Sequence, residues 1–313
     1  MTKITPSSAT IYALAAAPNQ KTTLCFAAGN MGLLRSEDGG RTWNDALQSL
    51  QLTNIPPVAA VALSPTFQSD SMVIAGTTGG VLRSIDKGQN WTFQPLGSPP
   101  PFVSTLMFSP DFERDGMLFA GTMEDGIFVS HDRGITWHAW NFGLLDLNIF
   151  DLKAAPHFAQ NETLFAAVES GIFRSTNHGL AWREVPFNLD DAPILSLAIS
   201  PDFQQDGILL AGTETQGLFK SEDAGRTWQR IGAESIQENV EALALAPDFT
   251  TNPYILALVG GDLLLSCDGG ASWQSRISQT SITGPVTAML APNNLHCQTP
   301  VLVAVANEGV QII

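Results

Sequence analysis

The sequence returns six times to one octapeptide pattern, SxDxGxxW, and nothing else in the chain constrains the fold as strongly. The copies are SEDGGRTW (36–43), SIDKGQNW (84–91), SHDRGITW (130–137), STNHGLAW (175–182), SEDAGRTW (221–228) and SCDGGASW (266–273). Their third positions are Asp38, Asp86, Asp132, Asn177, Asp223 and Asp268. Their closing tryptophans, Trp43, Trp91, Trp137, Trp182, Trp228 and Trp273, follow one another at steps of 48, 46, 45, 46 and 45 residues. A period of this size marks a repeat architecture, in which each unit buries its apolar face against its neighbours. An active site is not built six times over, so the octapeptide reads as a piece of construction.

Each period contains short apolar runs separated by Gly, Pro, Asp and Asn clusters, which are strand signals, and no segment holds a helical period. The fifth period is typical: ILSLAISP (194–201), ILLAGT (208–213), LFKS (218–221), the box, then a run after Trp228. This predicts four antiparallel strands per unit, a to d. The a-strands align at seven places, from IYALAAAP (11–18) to VTAMLAP (286–292), with Leu14, Val61, Leu106, Leu152, Leu197 and Leu243 on one face and small residues beside them. Such a taper suits the innermost strand of a propeller blade. A second recurring turn follows the second to sixth a-strands, as in SPDFERDG or SPDFQQDG, and its phenylalanine (Phe67, Phe112, Phe158, Phe203, Phe249) is expected to tuck under the blade.

The expected fold is therefore all-β: a seven-bladed β-propeller of four-stranded antiparallel blades, forming one domain over residues 1–313. Seven a-strands meet only six boxes. The last unit stops after a c-strand at 309–313, and residues 2–5 (TKIT) are placed to supply its missing outer strand.

Composition sets the outer limits. Thirty acidic against 15 basic residues give a formal charge of −15, which repels phosphate backbones and argues against nucleic acid. No apolar stretch reaches bilayer length, so no membrane insertion is expected. IYALAAAP recurs in later units and reads as fold rather than as a signal peptide. Cys25, Cys267 and Cys297 form no CxxC pair, and their odd number does not suggest a disulfide framework. A cytoplasmic, monomeric protein is the expectation.

SxDxGxxW resembles the Asp-box, or BNR repeat, of the sialidase-like propellers, and the resemblance extends over nearly the whole chain. It implies that the box forms the hairpin between the third and fourth strands of each blade, at the periphery and away from catalysis. Elementary chemistry agrees: the carboxylate can accept turn amides, glycine permits positive φ, and the indole covers the turn. Photosystem II assembly factors are similar propellers, although their basic patch and export signal are not evident in this sequence.

The resemblance also raises glycoside hydrolysis. Sialidases hold a substrate carboxylate with three arginines, the first in an (F/Y)RIP motif that is absent from this sequence. Arg35, Arg83 and Arg174, with Lys220 as their equivalent, precede box serines and so occupy the hairpin end of strand c, the wrong end for such a grip. Tyr12 and Tyr254 match no nucleophile motif, and the five histidines show no metal-binding spacing. No catalytic, cofactor or metal site is predicted. The favoured reading is a non-enzymatic binding or assembly propeller, and the alternative is a glycoside hydrolase or lyase of unknown substrate.

Strand direction places the box hairpin and the SPDF turn at one end of each blade, and the variable b–c and d–a loops at the other. Differing loops on a rigid frame carry recognition. The candidate partner face comprises Glu124, Asp125, Glu169, Asp190, Asp191, Glu214, Glu234 and Glu238, with Phe142, Leu144 and Leu145 as apolar anchors, and it is expected to take a protein partner. One polar oddity remains: Asp151 and Lys153 lie two apart on the fourth a-strand, either as a salt bridge lining a wet channel or as a polar anchor for a ligand there.

Overall fold

The computed structural model describes residues 9–17, 24–187, 192–278, 280–291 and 295–313. It contains seven antiparallel sheets, each running in chain order, and the fold is a seven-bladed β-propeller. Blade 1 is β1 (Ile11–Ala16), β2 (Cys25–Gly29), β3 (Gly32–Ser36) and β4 (Asn44–Asp45). Blade 2 is β5 (Val58–Leu63), β6 (Val73–Thr77), β7 (Gly80–Ser84) and β8 (Thr92–Pro95). Blade 3 is β9 (Phe102–Phe108), β10 (Leu118–Met123), β11 (Ile127–Ser130) and β12 (His138–Ala139). Blade 4 is β13 (Ile149–Ala154), β14 (Leu164–Val168), β15 (Gly171–Ser175) and β16 (Arg183–Glu184). Blade 5 is β17 (Ile194–Ile199), β18 (Leu209–Thr213), β19 (Leu218–Ser221) and β20 (Gln229–Ile231). Blade 6 is β21 (Val240–Leu245), β22 (Ile255–Val259), β23 (Asp262–Ser266) and β24 (Gln274–Ser275). The last sheet has three strands among the described residues, β25 (Val286–Leu290), β26 (Leu302–Val305) and β27 (Gly309–Ile312). Residues 2–5, expected to complete it, lie outside the described residues.

Two compact units are present. One holds residues 1–139, 282–290 and 301–313, hence blades 1 to 3 and the last blade. Within it the a-strands β25, β1, β5 and β9 pack in succession. The other holds residues 140–281 and 291–300, hence blades 4 to 6, with β13, β17 and β21 packed in the same way. Within each unit the innermost position of strand a is as the taper predicts. Each a-strand also carries a bulge near its start, for example between Ile194 and Ser196, which sharpens the local twist.

The deepest burial belongs to strand b. Every residue of β2, β6, β14, β18 and β22 is buried, whereas the a-strands alternate buried with half-buried positions. Strand b has a hydrogen-bonded neighbour on both edges and packs against the next blade, while strand a has one edge without a ladder partner. The hydrophobic clusters accordingly lie between blades. One joins Phe165, Ala167 and Ile172 of blade 4 to Ile194, Leu197 and Leu209 of blade 5.

The SPDF turns depart from the sequence reading, which expected no helix. Four of them are single helical turns, α1 (Phe67–Asp70), α2 (Phe112–Asp115), α3 (Phe158–Asn161) and α4 (Phe203–Asp206), each stopped by a left-handed residue. A four-residue turn is too short to display a helical period. The strand-end serine clasps its far end: Ser109 Oγ donates to Asp115 at 2.6 Å, and Asp115 accepts the Met117 amide at 2.8 Å. The phenylalanines are buried as expected.

The cysteines also differ from expectation. Cys267 and Cys297 form a disulfide with Cα atoms 6.5 Å apart. Thirty residues separate them in the chain, so no local spacing motif announces the pair. Cys25 is buried in β2, and its thiol is pushed up to about 11 by burial and then by the charge of Asp38.

Candidate functional site

The box is a hydrogen-bonded knot repeated with little change. In the first copy Ser36 Oγ donates to Asp38 Oδ1 at 2.8 Å and accepts the Gly40 amide at 2.8 Å. Asp38 Oδ1 then accepts the amides of Arg41 and Thr42 (3.0 and 2.8 Å), and Oδ2 accepts the Thr42 hydroxyl at 2.6 Å. Asp223 and Asp132 make the same set with Thr227 and Thr136. Asn177 Oδ1 accepts the Ser175 hydroxyl and the Ala181 amide, and Ala181 has no hydroxyl to supply the bond that the threonines make.

These bonds favour the charged carboxylate. The Thr227 hydroxyl, and then its amide, hold Asp223 at about 2, and Ser272 does the same for Asp268. Because the folded value lies below the ordinary 3.8, this stability is complete above about pH 4 and is lost as pH falls toward 2. Asp223→Asn should therefore lose less stability than the unsubstituted protein between pH 7 and pH 3, read as the shift of the urea midpoint. Equal shifts would mean that the aspartate carries no acid-dependent stability.

The two turn types share one end of each blade. Backbone amides in the boxes donate to the last residue of the SPDF turn: Lys87 to Ser71, Arg133 to Gly116, His178 to Glu162, Ala224 to Gly207 and Gly269 to Pro253, at 2.9–3.1 Å. The tryptophans reach beyond their own turns. Trp43 and Trp91 are buried in clusters shared with the preceding blade, and Trp91 Nε1 donates to Ala46 O of blade 1 at 2.9 Å. Trp228 and Trp273 are only partly buried.

Sequence reasoning gave no role to the residues before the box serines, yet they strap blades together. Arg35 Nε donates to Lys87 O in the next box at 2.8 Å, and Arg83 Nε donates to Arg133 O at 2.7 Å. An arginine one residue before three of the six box serines was the available signal, but the partner of Arg35 and of Arg83 is a backbone carbonyl in the next blade and leaves no mark in the sequence.

At the opposite end, the b–c turns and d–a connections are tied to each other. Glu214 N donates to Pro193 O at 2.9 Å and Gly260 N to Asn239 O at 3.0 Å. Ser170 N donates to Asp146 Oδ2 at 2.7 Å, and Asn148 donates to Glu169 at 2.8 Å. In the second unit Glu169, Glu214, Glu234 and Glu238 are all exposed on these loops. Glu238 lies over the Gly260 turn, where a Cβ would meet its carboxylate. In the first unit Glu124 is exposed and Asp125 half-buried. Asp190 and Asp191 lie outside the described residues.

The apolar anchors divide. Leu144 is buried at 6% exposure and offers no surface, whereas Phe142 (78%) and Leu145 (82%) are exposed. Phe142 does not sit among the rim loops. Its carbonyl accepts the Trp182 amide at 2.9 Å, which sets it beside the fourth box. The d-strand there is only two residues long, so the chain is still near the box end when it reaches Phe142.

Asp151 and Lys153 form a two-pronged ion pair at 2.7 and 2.8 Å. Asp151 also accepts the Leu152 amide (2.8 Å) and, across to blade 5, the Leu197 amide (2.9 Å), so it stitches neighbouring a-strands. Among the described residues no group of three or more His, Cys, Asp or Glu is arranged to hold a metal ion, and no helix is long and apolar enough to cross a membrane. Two clefts of about 450 and 550 Å³ both lie at the box end, the first lined by Arg174, Arg183 and Arg226 and the second by Arg35, Glu37 and Asp45.

A family model for the BNR-Asp box repeat matches residues 127–139, the third box with its flanks. No curated protein matches the sequence. Solved structures that are similar include the extracellular domain of the putative one component system BT4673 from B. thetaiotaomicron, at 15% identity and TM-score 0.70, covering 97% of this chain and 38% of that one. The GH74 xyloglucanase from Xanthomonas campestris is similar at 16% identity and TM-score 0.76, covering 97% of this chain and 52% of that one. A structure described as YCF48 bound to D1 peptide is similar at 18% identity and TM-score 0.70, covering 98% of this chain and 92% of that one. The chain thus spans about two fifths to half the length of the first two of these proteins. At such identities the likeness shows the fold, which is a propeller built on Asp-box repeats.

Proposed function

We propose that this chain is a non-enzymatic binding or assembly propeller whose acidic loop end takes a basic protein surface. The observation that carries the reading is the placement of Glu169, Glu214, Glu234 and Glu238, all exposed on loops of the second unit that are braced by backbone hydrogen bonds. Carboxylates on a rigid rim steer a cationic partner and give binding that weakens with salt. The similarity to YCF48 adds support, because it runs over nearly the whole of both chains and that protein is seen with a bound peptide. A second reading, glycoside hydrolysis, is favoured by the TM-score of 0.76 to a xyloglucanase, but this chain matches only 52% of that protein.

The test is a titration with a synthetic lysine-rich peptide at low and at physiological ionic strength. The double variant Glu214→Lys/Glu238→Lys should weaken binding by about tenfold or more, whereas Glu113→Lys, on an exposed SPDF turn, should leave it unchanged. Equal losses from the two variants, or salt-independent binding, would contradict the proposal. Release of reducing sugar from xyloglucan by the purified protein would favour the second reading.

A further inference from the structure

Arg174 occupies the strap position of blade 4 but is not satisfied as its counterparts are. Arg35 makes its strap bond and also pairs with Glu37 at 2.7 Å, and Lys220 pairs with Glu222 at 2.7 Å. Arg174 reaches the equivalent carbonyl, Ala224 O, only through Nη1 at 3.4 Å, and its buried Nε has no hydrogen-bond partner. Both acids that should accompany it are missing. Thr176 stands where the first and fifth boxes carry Glu37 and Glu222, and Asn177 replaces the box aspartate.

Positive charge is added at the same place. The cross-strand partner of Arg174 is Arg183, whereas Arg35 faces Asn44, Arg83 faces Thr92 and Lys220 faces Gln229. Arg226, from the fifth box, completes the group, and the three arginines line the 450 Å³ cleft with Thr176, Asn177 and Glu184. Like charges set directly opposite on neighbouring strands repel. None of the three arginines belongs to an ion pair among the described residues. Burial, and then the charge of Arg226, lowers the Arg174 pKa, as befits a cation without a counter-ion.

We propose that this cleft binds a tetrahedral oxyanion, a phosphate or sulfate group, either free or carried on a small molecule. Three guanidinium groups less one carboxylate leave two positive charges, which a dianion neutralises. Arginine forks suit such oxygens, and Arg183 and Arg226 are exposed beside Arg174 to offer them. Asn177 uses Oδ1 for its turn bonds, which leaves its Nδ2 to donate alongside the Thr176 hydroxyl. The site lies at the box end and is independent of the acidic rim.

Inorganic phosphate and inorganic sulfate, each titrated calorimetrically and by thermal melting, test this directly, with chloride at matched ionic strength as control. One or both oxyanions should bind and raise the melting temperature where chloride does not. Arg226→Gln should weaken binding by about tenfold or more. Thr176→Glu, which restores the carboxylate of the first and fifth boxes, should melt no lower than the unsubstituted protein and should also lose the oxyanion response. A sugar phosphate that binds more tightly than inorganic phosphate would assign the group to a carried ester, and one that binds no more tightly would assign it to the free ion. The proposal is overturned if neither oxyanion binds, if chloride gives the same shift, or if either variant binds as the unsubstituted protein does.

Discussion

Replacing Trp43 by alanine should destabilise the protein by about 3–5 kcal/mol. The indole is 2% exposed and packs in one cluster with Ile11, Leu14 and Leu34 of its own blade and Ala288 and Ala304 of the last blade. Its Nε1 donates to Gly40 O at 2.9 Å, which fixes the ring over its own turn. Truncation would leave a cavity bounded by two rigid sheets that cannot close on it. Trp228→Ala should cost less, because that indole is only partly buried. Denaturant unfolding followed by far-UV circular dichroism measures both. Equal losses at the two positions, or a loss below about 1 kcal/mol at Trp43, would show that the tryptophan covers only its own hairpin.

Gly212→Val should cost about 3 kcal/mol or more, at the upper end of overpacking effects. Gly212 lies in β18, where a Cβ would stand 2.6 Å from Val240 Cγ1 and 2.4 Å from Ser196 Oγ. Val240 opens β21, so the glycine is where one blade's second strand meets the next blade's first. Gly76 meets Val103 in the same way at 2.5 Å. In the register of blade 4, Ala167 faces Asp151 as Gly212 faces Ser196. The requirement is thus set by the neighbouring side chain rather than by the repeat. Val240→Ala should partly rescue Gly212→Ala in a double-mutant cycle. Strict additivity would mean that the cost of Gly212→Ala lies elsewhere, as in strand geometry.

The framework was legible because its signals are local and repeated. The box places Ser, Asp, Gly and Trp within eight residues, and the knot they tie, Ser36 to Asp38 to Thr42, closes entirely within them. Strand order followed from the same period, and with it the sharing of one end by the box and SPDF turns. What escaped the reading depends on partners far along the chain. The Arg35 and Arg83 straps end on carbonyls 52 and 50 residues away, and Cys267 finds Cys297 across 30 residues. The one-turn helices had a faint signal, the glycines Gly116 and Gly207 that stop them in the left-handed region, but four residues show no period.

The candidate site was legible only in part, for the same reason. Glu169, Glu214, Glu234 and Glu238 reach the loop end because strand direction alone decides it. Leu144 and Phe142 were misplaced because the d–a connection follows no repeat, and its path across the blade depends on Gly143 lying against the Trp182 backbone. The arginine cleft could be seen in outline, since box four alone lacks the aspartate. Its meaning required the cross-strand pairing of Arg174 with Arg183.

The central claim is that the boxes hold the frame while the loops recognise. It is tested most directly by measuring unfolding and lysine-rich peptide binding on the same two variants. Trp43→Ala, assayed where it is still folded, should lose stability and keep its peptide affinity, whereas Glu214→Lys/Glu238→Lys should keep its stability and lose affinity. A Trp43→Ala protein of full stability with peptide binding lost, or a rim variant that loses stability while binding as before, would contradict the account.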